Sequence, residues 1–346
     1  MALIPQNDNT TKAKIYAWYE SQEGGGHRPH LGASEIGHHC SRYLWYKFRW
    51  CFDSNFEGRI LKLFRRGHDE EAVFVRELKA IGVEVIDCDD DGNQYDFSEK
   101  DNAHFRGSMD GAAKGLPESP GTWHVLEFKT HSDKSFKDLC AKGVQESKPQ
   151  HFAQMQVYMK WTGMERAMYM AVNKNDDSIY TERIKYEPVT AKQLTEKANQ
   201  ITFSGQPLEG ISTRPDWYQC KMCDAYDICH GGKVAKVSCR SCCHSTPQSN
   251  GTWLCEKHGH ELDNSDQERA CEDHLYIPAL MPAEMVDGDT NENWVRYKKA
   301  DGTIFINSSH EAAESYLSHE IEANFAVIGD PKLNMVREGL GAKVAS

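Results

Sequence analysis

Apolar and polar positions alternate most clearly between Phe105 and Thr130, which predicts two strands joined by a turn. The first, HFRGSMDGAA, sets Asp110 in front of a glycine at its end. The second, WHVLEFKT, has Leu126 and Phe128 on one face and Glu127 and Lys129 on the other, because residues two apart in a strand share a face. Apolar neighbours around a carboxylate and an amine indicate a buried strand that delivers charge to a cleft.

Elsewhere the spacing turns helical. Lys12–Glu20 is a short helical segment. In HLGASEIGHHCSRYLWYKFRW, Ser34 is a candidate N-cap, and the aromatics from Tyr43 to Trp50 predict a helix on the core. Gly58 to Ile81 reads as one long helix with Leu61, Phe64, His68, Glu71, Val75 and Leu78 near one face. Gly82 ends it, and VEVIDCDDDGNQYDFS predicts a hairpin turning at Asp91-Gly92. Lys134 to Gln150 reads as a mobile helix and loop over the cleft. Pro149 opens the helix of Gln154, Gln156 and Tyr158. ERAMYMAVNKN and IYTERIKYE form a closing hairpin, and a helix from Thr190 to about Thr202 finishes the domain. After Met281, NWVRYKKADGTIFIN predicts a hairpin around Asp301-Gly302, then a helix near His310–Glu322 and a frayed end.

The 346 residues are 39% hydrophobic and 27% charged, the balance of an ordinary soluble protein. No apolar run approaches the ~18 residues of a membrane span. MALIPQNDNT lacks the basic start and apolar core of a signal peptide, so a cytoplasmic protein is expected, of a bacterium or a phage-infected host. In a reducing compartment twelve cysteines point to metal rather than disulfides. A net charge of −12 argues against a non-specific DNA coat. Locally, however, residues 1–68 hold ten bases against six acids, so a nuclease is not excluded.

Two carboxylates and a lysine suit a divalent-metal site for phosphodiester chemistry, although E-x-K by itself is commonplace on exposed edge strands. The ordered set Gly107-x-x-Asp110, Glu127-x-Lys129 and Gln154-x-x-x-Tyr158 resembles the PD-(D/E)xK nuclease superfamily in its RecB-like branch, over roughly residues 30 to 230. The resemblance implies an α/β restriction-endonuclease-like core, a mixed central sheet flanked by helices. Asp110 and Glu127 would hold Mg²⁺ or Mn²⁺, with His68, in a Gly67-His68 segment, as an extra ligand and the Phe128 carbonyl as another. Glu71, one turn on, would orient the imidazole. Lys129 would position or deprotonate the attacking water. Gln154, Tyr158 and Arg42 would hold the strand, with Gln154 and Tyr158 also bracing the lysine. The family's Cys-Pro-Arg stands here as Cys40-Ser41-Arg42, without the proline.

Cys220-x₂-Cys223-x₅-Cys229 is a metal signal that needs a fourth thiolate, for which Cys40 is the candidate. One cysteine before the core and three after it resembles the iron–sulfur branch of these nucleases, which implies a structural [4Fe–4S] cluster; four thiolates also suit zinc. A second cluster, Cys239-x₂-Cys242 with Cys255, Cys271 and His274, reads as a zinc-ribbon-like module. Cys239 and Cys242 are firm ligands and two more come from the other three, while Cys243 and His244 are passengers. The expected organisation is a flexible lead-in (1–30), the nuclease domain (31–232), the zinc module (233–280) and a small acidic α+β tail (281–346). The expected activity is a metal-dependent DNA exonuclease processing ends in recombination or repair, with DNA and a recombinase or annealing protein as partners and oligomers open. The alternatives are a DNA endonuclease and a DNA-binding module that cuts nothing.

Overall fold

The computed structural model describes residues 9–22, 27–54, 56–310, 312, 314–341 and 343–344. The chain opens with α1 (Thr11–Gln22), a two-residue strand β1 (Leu31–Gly32), α2 (Ser41–Phe48) and α3 (Gly58–Ala80). Next come β2 (Glu84–Ile86), β3 (Asp96–Glu99), β4 (Asn102–Ser108), β5 (Gly111–Lys114) and β6 (His124–His131). Two helices, α4 (Asp133–Ser147) and α5 (Pro149–Thr162), cross to β7 (Arg166–Asn173), which turns back as β8 (Ile179–Lys185) before α6 (Pro188–Phe203). The result is a mixed α/β fold.

The central sheet has the order β2-β5-β6-β7-β8, with β6 and β7 parallel and the other pairs antiparallel. A parallel pair needs a helical crossover, which α4 and α5 supply. With helices on both faces, β6 and β7 are buried along most of their length, so apolar residues appear on both sides of β7 rather than in strict alternation. On one face Phe74 and Leu78 of α3 pack down, and the Phe74 ring stacks on Phe128 at 5.1 Å. On the other lies α5, buried from Phe152 to Met159. Pro149 opens α5, and Gly163 closes it in a left-handed conformation (φ 73°).

Four sequence expectations change. HFRGSMDGAA is not one strand: the chain leaves the sheet β1-β4-β3 at Ser108 and enters the central sheet at Gly111. The segment around Asp91-Gly92 does turn, with the Gly92 N–H donating to the Asp89 carbonyl at 3.0 Å. Its arms β2 and β3 nevertheless belong to different sheets, because each finds an antiparallel partner, β5 or β4, after that break. Ser34 caps no helix; α2 starts at Ser41, and the Cys40 sulfur accepts the Tyr43 N–H at 3.4 Å. The outer half of α3 leaves the core, so Phe64 is exposed, and α1 covers Gly58, where a Cβ would lie 2.2 Å from the Tyr16 carbonyl oxygen.

Beyond α6 lie two short helices, α7 (Tyr218–Lys221) and α8 (Tyr226–Cys229). A 3₁₀ turn at Cys239–Ser241 leads into the small sheet of β9 (Ser245–Pro247), β10 (Trp253–Cys255) and β11 (His260–Leu262), followed by α9 (Asn264–Arg269). The tail folds as β12 (Glu284–Asp289), β13 (Trp294–Lys298), β14 (Ile304–Ser308) and β15 (Ser315–Tyr316), then α10 (Ser318–Asn324) and α11 (Pro331–Leu340). The hairpin at Asp301-Gly302 is present. The helix expected from His310 starts only at Ser318, since Ser315 and Tyr316 pair with β14. The frayed end is a helix as far as Leu340; residues 342, 345 and 346 lie outside the described residues, as do residues 1–8 and 23–26 of the lead-in. Tyr297, Phe305, Tyr316 and Ile321 of the tail share one core with Trp45 and Tyr46 of α2 and with Leu275–Ile277.

Candidate active site

The break between β4 and β5 is what places Asp110. Gly107 lies under the ring of Tyr158, where a Cβ would come within 2.7 Å of the phenol oxygen. The Tyr158 hydroxyl donates to the Ser108 carbonyl at 2.6 Å, pinning the strand two residues before Asp110. Gly111 then takes φ 150°, with the Ile86 carbonyl oxygen 3.0 Å from where its Cβ would be. The freed Asp110 carboxylate turns to β6 and accepts the Phe128 N–H through Oδ2 at 2.8 Å.

Glu127 and Lys129 do share a face. Lys129 is ion-paired with Glu127 Oε1, lies 3.9 Å from Asp110 Oδ2 and donates to the Phe128 carbonyl at 2.9 Å. Glu127 is fully buried and neither carboxylate oxygen has a well-formed hydrogen bond; Oε2 lacks even an ion pair. Burial pushes Glu127 up to about 8, against the pull of Lys129 and with help from Asp110. Lys129 is held above its ordinary value: burial opposes this, but Glu127 and Asp110 outweigh it. Glu71 is raised by burial and by the Asp110 charge, and its Oε1 lies 3.4 Å from His68 Nδ1. His68 is not a core histidine; it extends from α3 into the same cleft, mostly exposed.

A cleft of ≈ 360 Å³ opens over Asp110 and Lys129. Its polar walls include residues that sequence spacing did not single out: Arg28, Gln94, Gln150 and His151, with Ser34 in place of the expected cap. Arg28 lies across Gly32 and donates to His30 Nε2 at 3.0 Å and Ser34 Oγ at 3.3 Å. His151 Nδ1 and His131 Nε2 both meet the Tyr169 hydroxyl, at 2.9 and 2.8 Å. Burial lowers both imidazoles, His131 to about 4. The local signal was the histidine of KPQH; nothing local joined it to Tyr169, whose register partner is Glu127.

Gln154 lines the cleft, 5% exposed. Tyr158 is 1% exposed with its hydroxyl committed to Ser108, so it holds the Asp110 strand rather than offering itself to a ligand. Arg42 is not in this cleft. The first turn of α2 points it at the Leu208 carbonyl (2.8 Å) and the Cys229 sulfur (3.6 Å).

Cys40, Cys220, Cys223 and Cys229 line one cavity of ≈ 290 Å³ with Tyr43 and Tyr46. Burial pushes Cys223 up to about 11, and the nearby Cys40 and Cys229 add to it. Cys239, Cys242, Cys255 and Cys271 line another. Cys239 is raised to about 12 by burial and then by those three neighbours. Thiols in such sets suit zinc or an iron–sulfur cluster. His274 also lines this cavity; its Nδ1 meets Ser318 Oγ at 2.8 Å, and its Nε2 meets the Ser238 carbonyl at 3.1 Å and Ser241 Oγ at 3.2 Å. His244 is likewise engaged with Asn293, at 2.8 Å. Among the described residues no three Cys, His, Asp or Glu side chains are drawn together as a metal would hold them. At the cleft, the orphaned Glu127 oxygen beside Asp110 fits a divalent cation.

Among the described residues no helix is long and apolar enough to cross a membrane. No protein-family model and no curated protein matches the chain. Among solved structures it is similar to LHK-Exo in complex with dAMP, at 14% identity over 54% of this chain and 89% of that one, TM-score 0.36. It is similar to SSO0001 at 15% identity over 64% and 98% of the two chains, TM-score 0.38. A further likeness is to the alkaline exonuclease LHK-Exo from Laribacter hongkongensis, at 14% identity over 54% and 90%, TM-score 0.34. At these scores the likenesses carry no functional weight.

Proposed function

We propose that the chain is a metal-dependent DNA nuclease of the PD-(D/E)xK type, acting as an exonuclease on DNA ends. The observation that carries this is Glu127: a fully buried carboxylate with an orphaned oxygen, ion-paired with Lys129, which lines a polar cleft together with Asp110. Burying an unsatisfied carboxylate is costly, and a Mg²⁺ or Mn²⁺ ion held by Asp110 and Glu127 removes that cost. The Phe128 carbonyl and His68 are the further oxygen and nitrogen donors. When bound, the cation supplies Lewis acidity at the phosphate. Lys129 orients the attacking water and offsets charge on the phosphate as it becomes five-coordinate. Water oxygen bonds to phosphorus and the P–O3′ bond breaks, leaving a 5′-phosphate and a 3′-hydroxyl. Arg28, Ser34, Gln150 and Gln154 are the donors facing the strand. Arg42 acts among the cysteines instead.

Cys40, Cys220, Cys223 and Cys229 hold a [4Fe–4S] cluster in this reading, and Cys239, Cys242, Cys255 and Cys271 a Zn²⁺ ion. Both act as structural staples. A cytoplasmic setting with a recombinase or annealing protein suits an end-processing role. The test is anaerobic purification and incubation with end-labelled linear DNA, circular DNA and single strands, in Mg²⁺, Mn²⁺ or EDTA, beside Lys129→Ala. Metal-dependent loss of linear but not circular DNA, abolished by the variant, is expected. Cutting of circles makes the enzyme an endonuclease, and unchanged degradation by the variant removes Lys129 from the chemistry.

A further inference from the structure

The joint between the cysteine-rich ribbon and the catalytic domain is built on two buried arginines. Arg240 lies in the 3₁₀ turn between Cys239 and Cys242 and is 1% exposed. Its guanidinium carbon lies 3.8 Å from the ring centroid of Trp50 and 4.7 Å from that of Trp253. It donates to the Phe48 carbonyl (3.0 Å), the Pro29 carbonyl (2.9 Å) and Gln267 Oε1 (2.8 Å). Arg49 is 3% exposed, stacks on the other side of the joint 4.9 Å from Trp253, and donates back to the Arg240 and Ser245 carbonyls, both at 3.2 Å. Among the described residues neither guanidinium forms an ion pair with a carboxylate. A rigid fork of five N–H donors is what lets one side chain hold three oxygens at once, and aromatic faces offset its desolvation.

These contacts converge on the segment that carries Arg28. Arg240 holds the Pro29 carbonyl, and the Trp50 indole N–H holds the Arg28 carbonyl at 3.0 Å. Two successive peptide groups are thereby fixed by the same cation–ring stack. Next to them the Arg28 side chain lies across Gly32 into the cleft that contains Asp110 and Lys129. We propose that Arg240 and Trp50 form a clamp that aims Arg28 into the cleft, making the cysteine-rich ribbon a positioning element for the strand-binding wall of the active site. This rests on the nuclease reading for what Arg28 meets, a phosphate of the DNA strand, but not for the clamp itself.

The experiment uses the full chain with its metals and the variants Arg240→Met, Trp50→Phe and Arg28→Ala. Trp50→Phe keeps an aromatic ring beside Arg240 while removing the indole N–H and the rest of the five-membered ring, so it remains informative if Arg240→Met does not fold. Hydrogen–deuterium exchange is followed at residues 30–34 and, as a control for the ribbon, at residues 245–262. Arg240→Met and Trp50→Phe are expected to speed exchange at 30–34 roughly tenfold while leaving the ribbon protected. Binding of a labelled oligonucleotide in Ca²⁺ is expected to weaken about tenfold in Arg240→Met and in Arg28→Ala, and no further in the double variant, because the two act through one contact. In Mg²⁺ the same variants raise KM and keep kcat. Unchanged exchange at 30–34, or binding losses that add, overturns the clamp. Faster exchange in a protein that neither binds nor cuts DNA leaves the clamp standing and removes the nuclease reading.

Discussion

Glu127 is closed off from solvent, so its charge depends on the cation beside it. With its carboxyl pushed up to about 8 by burial, the folded chain holds the proton more tightly than the unfolded chain, whose carboxyl stays in the ordinary range. Without a divalent ion, its contribution to stability is therefore present at low pH and fades as pH rises through about 8. A metal must displace that proton, so Mn²⁺ affinity should rise about tenfold per pH unit and level off above about pH 8. Calorimetric titration across that range checks it, and a flat profile would mean Glu127 is already ionised. Lys129→Ala removes the only cation paired with Glu127 among the described residues, and single-turnover cleavage should fall by about 10² or more while oligonucleotide binding in Ca²⁺ persists. The Glu127–Lys129 pair was legible because a strand's period of two fixes which side chains share a face. Arg28 and His151 were not, since packing between distant segments delivers them. Arg42 was misread for the same reason: no local pattern shows that α2 points it at Cys229 rather than Asp110.

At the level of elements, HFRGSMDGAA looks continuous because every residue in it tolerates extended backbone. What breaks it is outside the segment: β1 and β3 claim β4, while β2 and β6 claim β5. The long helix, the closing hairpin and the proline-opened α5 were legible because their signals are local. Gly107 tests the element-level account. A methyl there meets the Tyr158 oxygen at 2.7 Å and the Ala33 side chain at 3.1 Å, so Gly107→Ala should cost about 1–3 kcal/mol of stability. Adding Tyr158→Phe removes the closest atom and should recover part of the loss. Denaturant unfolding of the two singles and the double reads this coupling, and strictly additive losses would remove Tyr158 from the explanation.

For the whole molecule, the cysteine spacing divides the thiols into two sets, and four thiols line each of two cavities. The surroundings of His274 were not legible, because only the fold brings Ser318, Ser241 and the Ser238 carbonyl to its two nitrogens. His274→Ala should accordingly retain zinc, whereas Cys271→Ser should lose it; elemental analysis of the two purified variants decides, and loss of zinc from His274→Ala restores the histidine as a ligand. The tail, which reads as a small acidic α+β unit, contributes aromatic rings to the core under α2, a long-range match that no local pattern encodes. The Arg49–Arg240 joint has one more property. Rings and solvent-excluded oxygens are little screened by ions. Brine, which parts ordinary ion-paired interfaces, should leave this seam shut.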